Sequence, residues 1–91
     1  MDKEKFIELR RLVLILSLYE SGWEDAIQEI DEEIYKQDVE KLKKSKFIKK
    51  ISKKPTLTKK GEELAQKLNW KIKKTIKHLF FLNLNNNKKT P

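Results

Sequence analysis

Residues 42–65, LKKSKFIKKISKKPTLTKKGEELA, decide the predicted fold of this chain. Two short segments within this stretch, 47–52 and 56–58, have the composition of β-strands and flank the turn KKP. Proline has no backbone N–H to donate to a paired strand, and Pro55 lies beside the predicted turn, where that hydrogen bond is needed least. These features predict a small two-stranded β-hairpin that leads directly into a helix.

Helices are predicted on both sides of the hairpin. Apolar spacing indicates a helix at 2–21, a short helix at 23–30 and a third helix from the N-cap Asp31 to about Lys44. After the hairpin, Thr58 is a candidate cap, and one continuous apolar stripe predicts a single helix over about 60–84. The predicted fold class is therefore mainly α with a small two-stranded β-hairpin. We expect one domain at 1–84 and a disordered polar tail at 85–91.

The first predicted helix carries two apolar stripes, the broader of which begins at Phe6. A helix with two stripes needs two neighbours, and another subunit could supply the second. The last helix has its own regular stripe, and a chain of this length has a thin core that self-association would extend. We therefore expect a homodimer. The predicted interface residues are Ile7, Leu14, Leu18, Leu68, Ile72, Ile76, Leu79 and Phe80.

Composition narrows the classes of function. The 91 residues include no cysteine and one histidine, His78, so thiolate and histidine-cluster metal sites are excluded and no cofactor is expected. No glycine-rich phosphate loop or HExxH spacing is present, and we predict that the chain is not an enzyme. The net charge of +8 favours a polyanionic partner. No apolar run approaches the length of a bilayer-spanning helix, so a cytoplasmic protein is expected.

The charges are strongly segregated along the chain. Residues 20–33 carry seven acids and no lysine or arginine, whereas residues 36–60 carry eleven lysines against Asp38 and Glu40. Six of these lysines surround the predicted hairpin, and no acid stands among them to pair them. Because their mutual repulsion costs stability, a bound polyanion is the expected compensation.

The segments VEKLKKSKFIKK (39–50) and PTLTKKGEELAQKL (55–68) carry a resemblance to a known family. They resemble the junction between recognition helix and wing in winged helix-turn-helix regulators. Val39 and Leu42 match two core positions of that junction, and Phe47-Ile48 matches its apolar pair. Leu57, Thr58 and Gly61 match its LT..G motif, and Lys46 stands where the family usually has glycine.

The resemblance covers roughly residues 6–68, and the long helix that follows is similar to that of small archaeal winged-helix proteins, including chromatin-type ones. Those proteins dimerise through an antiparallel coiled coil. The resemblance implies a transcriptional regulator or an architectural protein that binds double-stranded DNA, with its recognition helix in the major groove. The expected DNA-binding residues are Lys36, Gln37, Lys41, Lys44, Lys49, Lys50, Lys53, Lys54, Lys59 and Lys60.

Two other functions stay open from the residues alone. The acidic stretch 20–33 could dock a basic protein partner, although Glu32 and Glu33 also suit the positive N-terminal end of a helix. The basic, amphipathic last helix, with Trp70 near its start, is also typical of helices that lie on anionic membranes. Core or dimer packing is the simpler account of that helix, and also of Trp23 and Trp70.

Overall fold

The computed structural model describes residues 2–89. Over this range the chain forms α1 (Lys3–Tyr19), α2 (Glu24–Gln28), α3 (Glu32–Lys44), β1 (Ile48–Ile51), β2 (Lys54–Leu57), α4 (Lys59–Lys67) and α5 (Trp70–Lys89). The two strands pair with each other in an antiparallel sheet. The predicted class, mainly α with a small hairpin, is confirmed for these residues.

Helix α1 lies at the centre of the fold. It begins after Asp2, whose side chain caps the helix by accepting a hydrogen bond from the Lys5 backbone N–H at 2.8 Å. Residues 13–16 are all buried, so this part of α1 is covered on every side. The covering elements are α2, α4, α5 and β2.

The second apolar stripe of α1 is covered by the chain itself. Leu14 is fully buried and Leu18 packs against the core cluster. The prediction that Leu14 belongs to a dimer interface is therefore wrong, because neighbouring helices of the same chain already bury it. Ile7, at the other end of the stripe, is half-buried and lines an open groove.

The helix predicted over about 60–84 is interrupted. Helix α4 ends at Lys67, and Leu68 leaves the helical conformation with φ −83° and ψ 111°. Asn69 then starts α5, because its side-chain oxygen accepts a hydrogen bond from the Ile72 N–H at 3.0 Å. Asparagine is among the best N-cap residues, and this cap divides what the apolar pattern presented as one helix.

The interruption lets α5 pack back against α1. The ring of Phe80 stacks on Phe6 with centroids 5.9 Å apart, and Phe80 and Ile76 are buried in the core. Their assignment to a dimer interface is therefore wrong. The backbone of α5 continues to Lys89, so the predicted disordered tail begins as helix, and residues 90–91 lie outside the described part of the chain.

The hairpin differs from its prediction at the turn. Ile51 pairs with Lys54, so the loop consists of Ser52 and Lys53 rather than KKP, and Pro55 belongs to β2. Ser52 and Lys53 have φ of 52° and 69°. Positive φ at both loop residues is typical of a type I′ turn, whose twist matches that of paired strands. Only the base of the hairpin is buried, so its tip projects from the fold.

Candidate nucleic-acid interface

Helix α3 presents one inner and one outer face. Asp31 caps it by accepting hydrogen bonds from the N–H groups of Glu33 and Ile34, as the sequence predicts. Its buried residues are Asp38, Val39 and Leu42. The outer face is polar and carries Glu33, Lys36, Gln37, Glu40, Lys41 and Lys44.

A buried ion group joins α3 to α1. Both carboxylate oxygens of Asp38 accept hydrogen bonds from Arg10, one from Nε and one from a terminal nitrogen at 2.9 Å. Arg11 adds a bond from its Nε to Asp38 Oδ1 at 3.2 Å. Asp38 is completely buried, so this pairing fixes the position of α3. Residue spacing along the chain gives no signal of this ion group, although Arg10 and Arg11 are the only arginines in a chain of many lysines.

The junction between α3 and the hairpin is tightly closed. The Phe47 N–H donates to the Leu42 carbonyl at 2.9 Å, and the Lys46 N–H donates to the Lys43 carbonyl at 3.0 Å. This is the hydrogen-bond pattern of a Schellman motif, which requires a left-handed residue after the helix. Lys46 fills that position with φ 66°, so lysine adopts here a conformation that favours glycine.

The motif Leu57-Thr58 with Gly61 locks the other end of the hairpin. Thr58 accepts from the Gly61 N–H at 3.2 Å and donates from its hydroxyl to the Lys46 carbonyl at 2.5 Å. A Cβ on Gly61 would lie 2.3 Å from the Phe47 carbonyl oxygen, so only glycine allows this close approach. The hairpin is therefore held at both ends against α3 and α4.

The hairpin lysines point to two sides. Register and strand alternation place Lys50 and Pro55 on one side of the hairpin and Lys49 and Lys54 on the other. The Lys50 side faces α3, where Tyr35, Lys36, Val39, Glu40, Lys50, Lys53 and Pro55 line a groove of about 390 Å³. The hairpin and the outer face of α3 thus form one continuous surface.

Two lysines of the hairpin region, Lys50 and Lys60, have partners within the chain. Lys50 Nζ lies 3.2 Å from Glu40 Oε1, and this hydrogen bond, helped by the charges of Lys50 and Lys43, lowers the pKa of Glu40 below its ordinary value. Lys60 donates to the Ser45 carbonyl at 3.1 Å and stands over the ring of Phe47. The expectation that no acid pairs with the hairpin lysines is therefore wrong for Lys50.

A second groove of about 420 Å³ runs along the outer face of α3. It contains all four residues predicted on this helix, and it adjoins the hairpin groove because both include Lys36 and Glu40. Lys36 also lies 3.6 Å from Glu32 one turn earlier. The residues that line this second groove are Arg11, Glu33, Lys36, Gln37, Glu40, Lys41 and Lys44.

Several carboxylates of the acidic stretch 20–33 are engaged inside the chain. Glu20 Oε2 lies 2.7 Å from Lys73 Nζ, and Glu20 also accepts from the indole N–H of Trp23. These hydrogen bonds, that from Lys73 first, lower the pKa of Glu20. Glu24 accepts from the Gly22 N–H, and Asp31 caps α3. Glu20 therefore anchors α5, and Asp31 starts α3.

The remaining predicted interface residues differ in exposure. Leu18, Leu68 and Leu79 are half-buried and pack against the core, whereas Ile72 is 43% exposed. Trp70 is 71% exposed, with Lys74 Nζ 5.6 Å from its ring centroid, so it is not a core residue. Exposed apolar surface is therefore concentrated on α5.

Comparison of this chain with protein-family models, with curated proteins and with solved structures finds no match. Within residues 2–89, no group of three or more histidine, aspartate or glutamate side chains is arranged to hold a metal ion. None of the helices in that range combines the length and apolar character needed to cross a membrane. Any assignment of function therefore depends on the geometry and charge described above.

Proposed function

We propose that this chain is a winged helix-turn-helix protein that binds duplex DNA as a homodimer and regulates transcription. In this proposal α2 and α3 form the helix-turn-helix, α3 is the recognition helix, and β1 with β2 is the wing. The observation that supports it most is the shared groove between the hairpin and α3, which brings Lys36, Lys50 and Lys53 to one surface.

The charge distribution along α3 supports contact with DNA through its C-terminal half. Glu33 lies in the first turn, where it repels phosphate, whereas Lys41 and Lys44 lie in the last turns. Gln37, midway along the outer face, has the donor and acceptor needed to pair with adenine. Lysines of the helix and wing would meet phosphates, which gives affinity and position rather than sequence readout.

The exposed face of α5 supports dimerisation. Ile72, Thr75, Leu79 and Leu82 follow the alternating spacing of three and four residues that is typical of a coiled coil. Ile72 and Leu82 are 43% and 45% exposed in the single chain. Sedimentation equilibrium tests this: the wild type should have twice the mass of the chain, and Ile72→Glu should be a monomer. A monomeric wild type at high concentration would exclude the dimer.

The DNA proposal is tested by fluorescence anisotropy with a labelled duplex at about 50 and 200 mM salt. Substituting Lys49, Lys53 and Lys54 with glutamine should weaken binding and make log Kd less dependent on log salt by roughly 0.9 for each phosphate that is no longer neutralised. The matched control replaces Lys5, Lys67 and Lys71, which are exposed and lie outside the proposed interface. The proposal fails if the wild type does not bind at the lower salt, or if both triple variants weaken equally.

A second candidate function uses α5 on an anionic membrane surface. The observation in its favour is the exposure of Trp70 and Ile72 on a helix that has lysines and no acidic residue. Co-sedimentation with phosphatidylserine vesicles tests it, together with a blue shift of the Trp70 fluorescence. A Trp70→Phe variant assigns that shift, since Trp23 is buried.

A further inference from the structure

The ion group at Asp38 contains one positive charge more than the carboxylate requires. Arg10 alone donates to both oxygens of Asp38, which is the bidentate geometry that satisfies a carboxylate. Arg11 adds only a single bond, from Nε to Oδ1 at 3.2 Å. The contact with Asp38 therefore leaves the terminal nitrogens of Arg11 without a carboxylate partner.

Arg11 also differs from Arg10 in its surroundings. Its side chain is 31% exposed, compared with 14% for Arg10, and it lines the outer groove of α3. The acids of that groove do not neutralise it: Glu40 pairs with Lys50, and Glu33 lies beyond ion-pair distance of Arg11 in the described structure. A guanidinium fixed beside other cations is unfavourable by itself, and a bound anion removes that cost.

We propose that Arg11 is a phosphate-binding residue of the interface, and that Asp38 positions it for this role. The inference rests on the proposed binding of DNA. Because Nε is tied to a buried carboxylate, the guanidinium stays at the side of α3 and meets the DNA backbone beside the groove. Its two terminal nitrogens match two phosphate oxygens, and the anchored side chain loses little freedom on binding.

The choice of arginine agrees with this role. The chain uses lysine for its other basic residues, and both of its arginines contact Asp38. A lysine at position 11 has one nitrogen, which the Asp38 carboxylate would hold. Arginine has three nitrogens in a rigid plane, so it binds the carboxylate with one edge and leaves two nitrogens for a phosphate.

The test compares Arg11→Lys and Arg11→Ala with the control Lys67→Ala, a charge removed from the end of α4. Anisotropy titrations with a labelled duplex measure Kd and its salt dependence, and circular dichroism confirms that each variant is folded. Arg11→Ala should weaken binding about tenfold and lower the salt slope by about 0.9, while Lys67→Ala changes Kd less than about twofold. Arg11→Lys should lose most of the same affinity although it keeps the charge.

The outcomes separate this inference from the proposed function. Wild-type binding that Arg11→Lys leaves unchanged overturns the role of Arg11 alone, and so does an Arg11→Ala effect no larger than that of Lys67→Ala. Absence of wild-type binding overturns both. If Arg11→Ala does not fold, Arg11→Lys decides, since it retains an ion pair to Asp38. Arg10→Lys completes the set: it should lower the melting temperature and leave the salt slope unchanged.

Discussion

The hairpin and α5 are both rich in lysine, but the fold uses their charges differently. On α5, Lys73 binds the Glu20 carboxylate at 2.7 Å and Lys77 donates to the Gly22 carbonyl at 2.8 Å. On the hairpin, Lys49 and Lys53 form no ion pair with any part of the described chain. Lys73 and Lys77 of α5 thus help to hold the fold together, whereas most of the lysines on the hairpin remain available to a partner.

The backbone shows the same contrast. Among residues 2–89, the residues other than glycine with positive φ are Lys46, Ser52 and Lys53, and all three lie at the start or the tip of the hairpin. α5 is a regular helix. Unpaired charge and positive φ at residues other than glycine therefore occur together in the hairpin region.

The largest loss of stability is expected when Arg10 and Arg11 lose the buried carboxylate that holds them. Asp38→Asn removes the carboxylate that pairs with Arg10 and Arg11, and Arg10 is then left largely buried without a counter-ion. Breaking a buried ion pair in this way should lower the free energy of unfolding by about 3 to 5 kcal/mol. Urea denaturation followed by circular dichroism measures it.

Glu63→Gln, an exposed acid on α4, is the control for Asp38→Asn and should change the free energy of unfolding by less than about 0.5 kcal/mol. A loss below about 1 kcal/mol for Asp38→Asn would contradict the view that this ion group holds α3 in place. It would also mean that Asp38 does not fix Arg10 and Arg11 in position, so these two arginines would no longer differ from the unpaired lysines of the hairpin.

A direct test of the contrast removes two lysines from each region. Lys73→Gln with Lys77→Gln should lower the free energy of unfolding by about 1 to 2 kcal/mol, because these variants lack two charge-assisted hydrogen bonds to the α1–α2 loop. Lys49→Gln with Lys53→Gln should leave it within about 0.5 kcal/mol of the wild type. Equal losses from the two double variants would show that the regions do not differ.

The sequence predicts features that depend on neighbours along the chain. The caps Asp31 and Thr58 and the hairpin itself follow from local pattern, whereas the unusual position of Lys46 was implied only by the resemblance to winged-helix proteins. The apolar spacing did not reveal the break at Asn69, because Leu68 and Ile72 are four residues apart whether or not a cap lies between them. Local pattern alone is therefore a poor guide to where one long helix ends.

Most of the unpredicted site features come from long-range contacts. Asp38 is separated from Arg10 by 28 residues, and Lys73 from Glu20 by 53, so neither pair has a signal in sequence spacing. The pairing of Lys50 with Glu40 depends on which side of the hairpin faces α3. Lysine content alone therefore predicts a basic surface but not which ammonium groups remain free.

A smaller effect is expected from the backbone of the hairpin region. Lys46→Gly should raise the free energy of unfolding by about 1 kcal/mol, because glycine adopts φ near 66° without the clash that a Cβ causes. Thermal unfolding measures it. The control is Lys43→Gly inside α3, which should lose about 1 kcal/mol, so the two substitutions have opposite signs. Destabilisation by both would show that position 46 is not strained.

The smallest effect is the pH dependence of the Glu20–Lys73 contact. The hydrogen bond from Lys73 lowers the pKa of Glu20 in the folded chain, so its contribution is complete above the unfolded value of about 4.3 and is lost as the pH falls through the folded value. The Glu20 side chain is 34% exposed, and the contribution should be a few tenths to about 1 kcal/mol.

Urea titrations of the wild type and Glu20→Gln from about pH 7 to pH 3 measure this contribution as a difference between the two proteins. The difference should be constant near neutral pH and shrink toward zero below about pH 4. Glu63→Gln on the exposed side of α4 is the control. A difference that stays constant throughout the acid range would mean that the Glu20 charge adds nothing to the anchoring of α5, and the contrast with the hairpin would then depend on Lys77 alone.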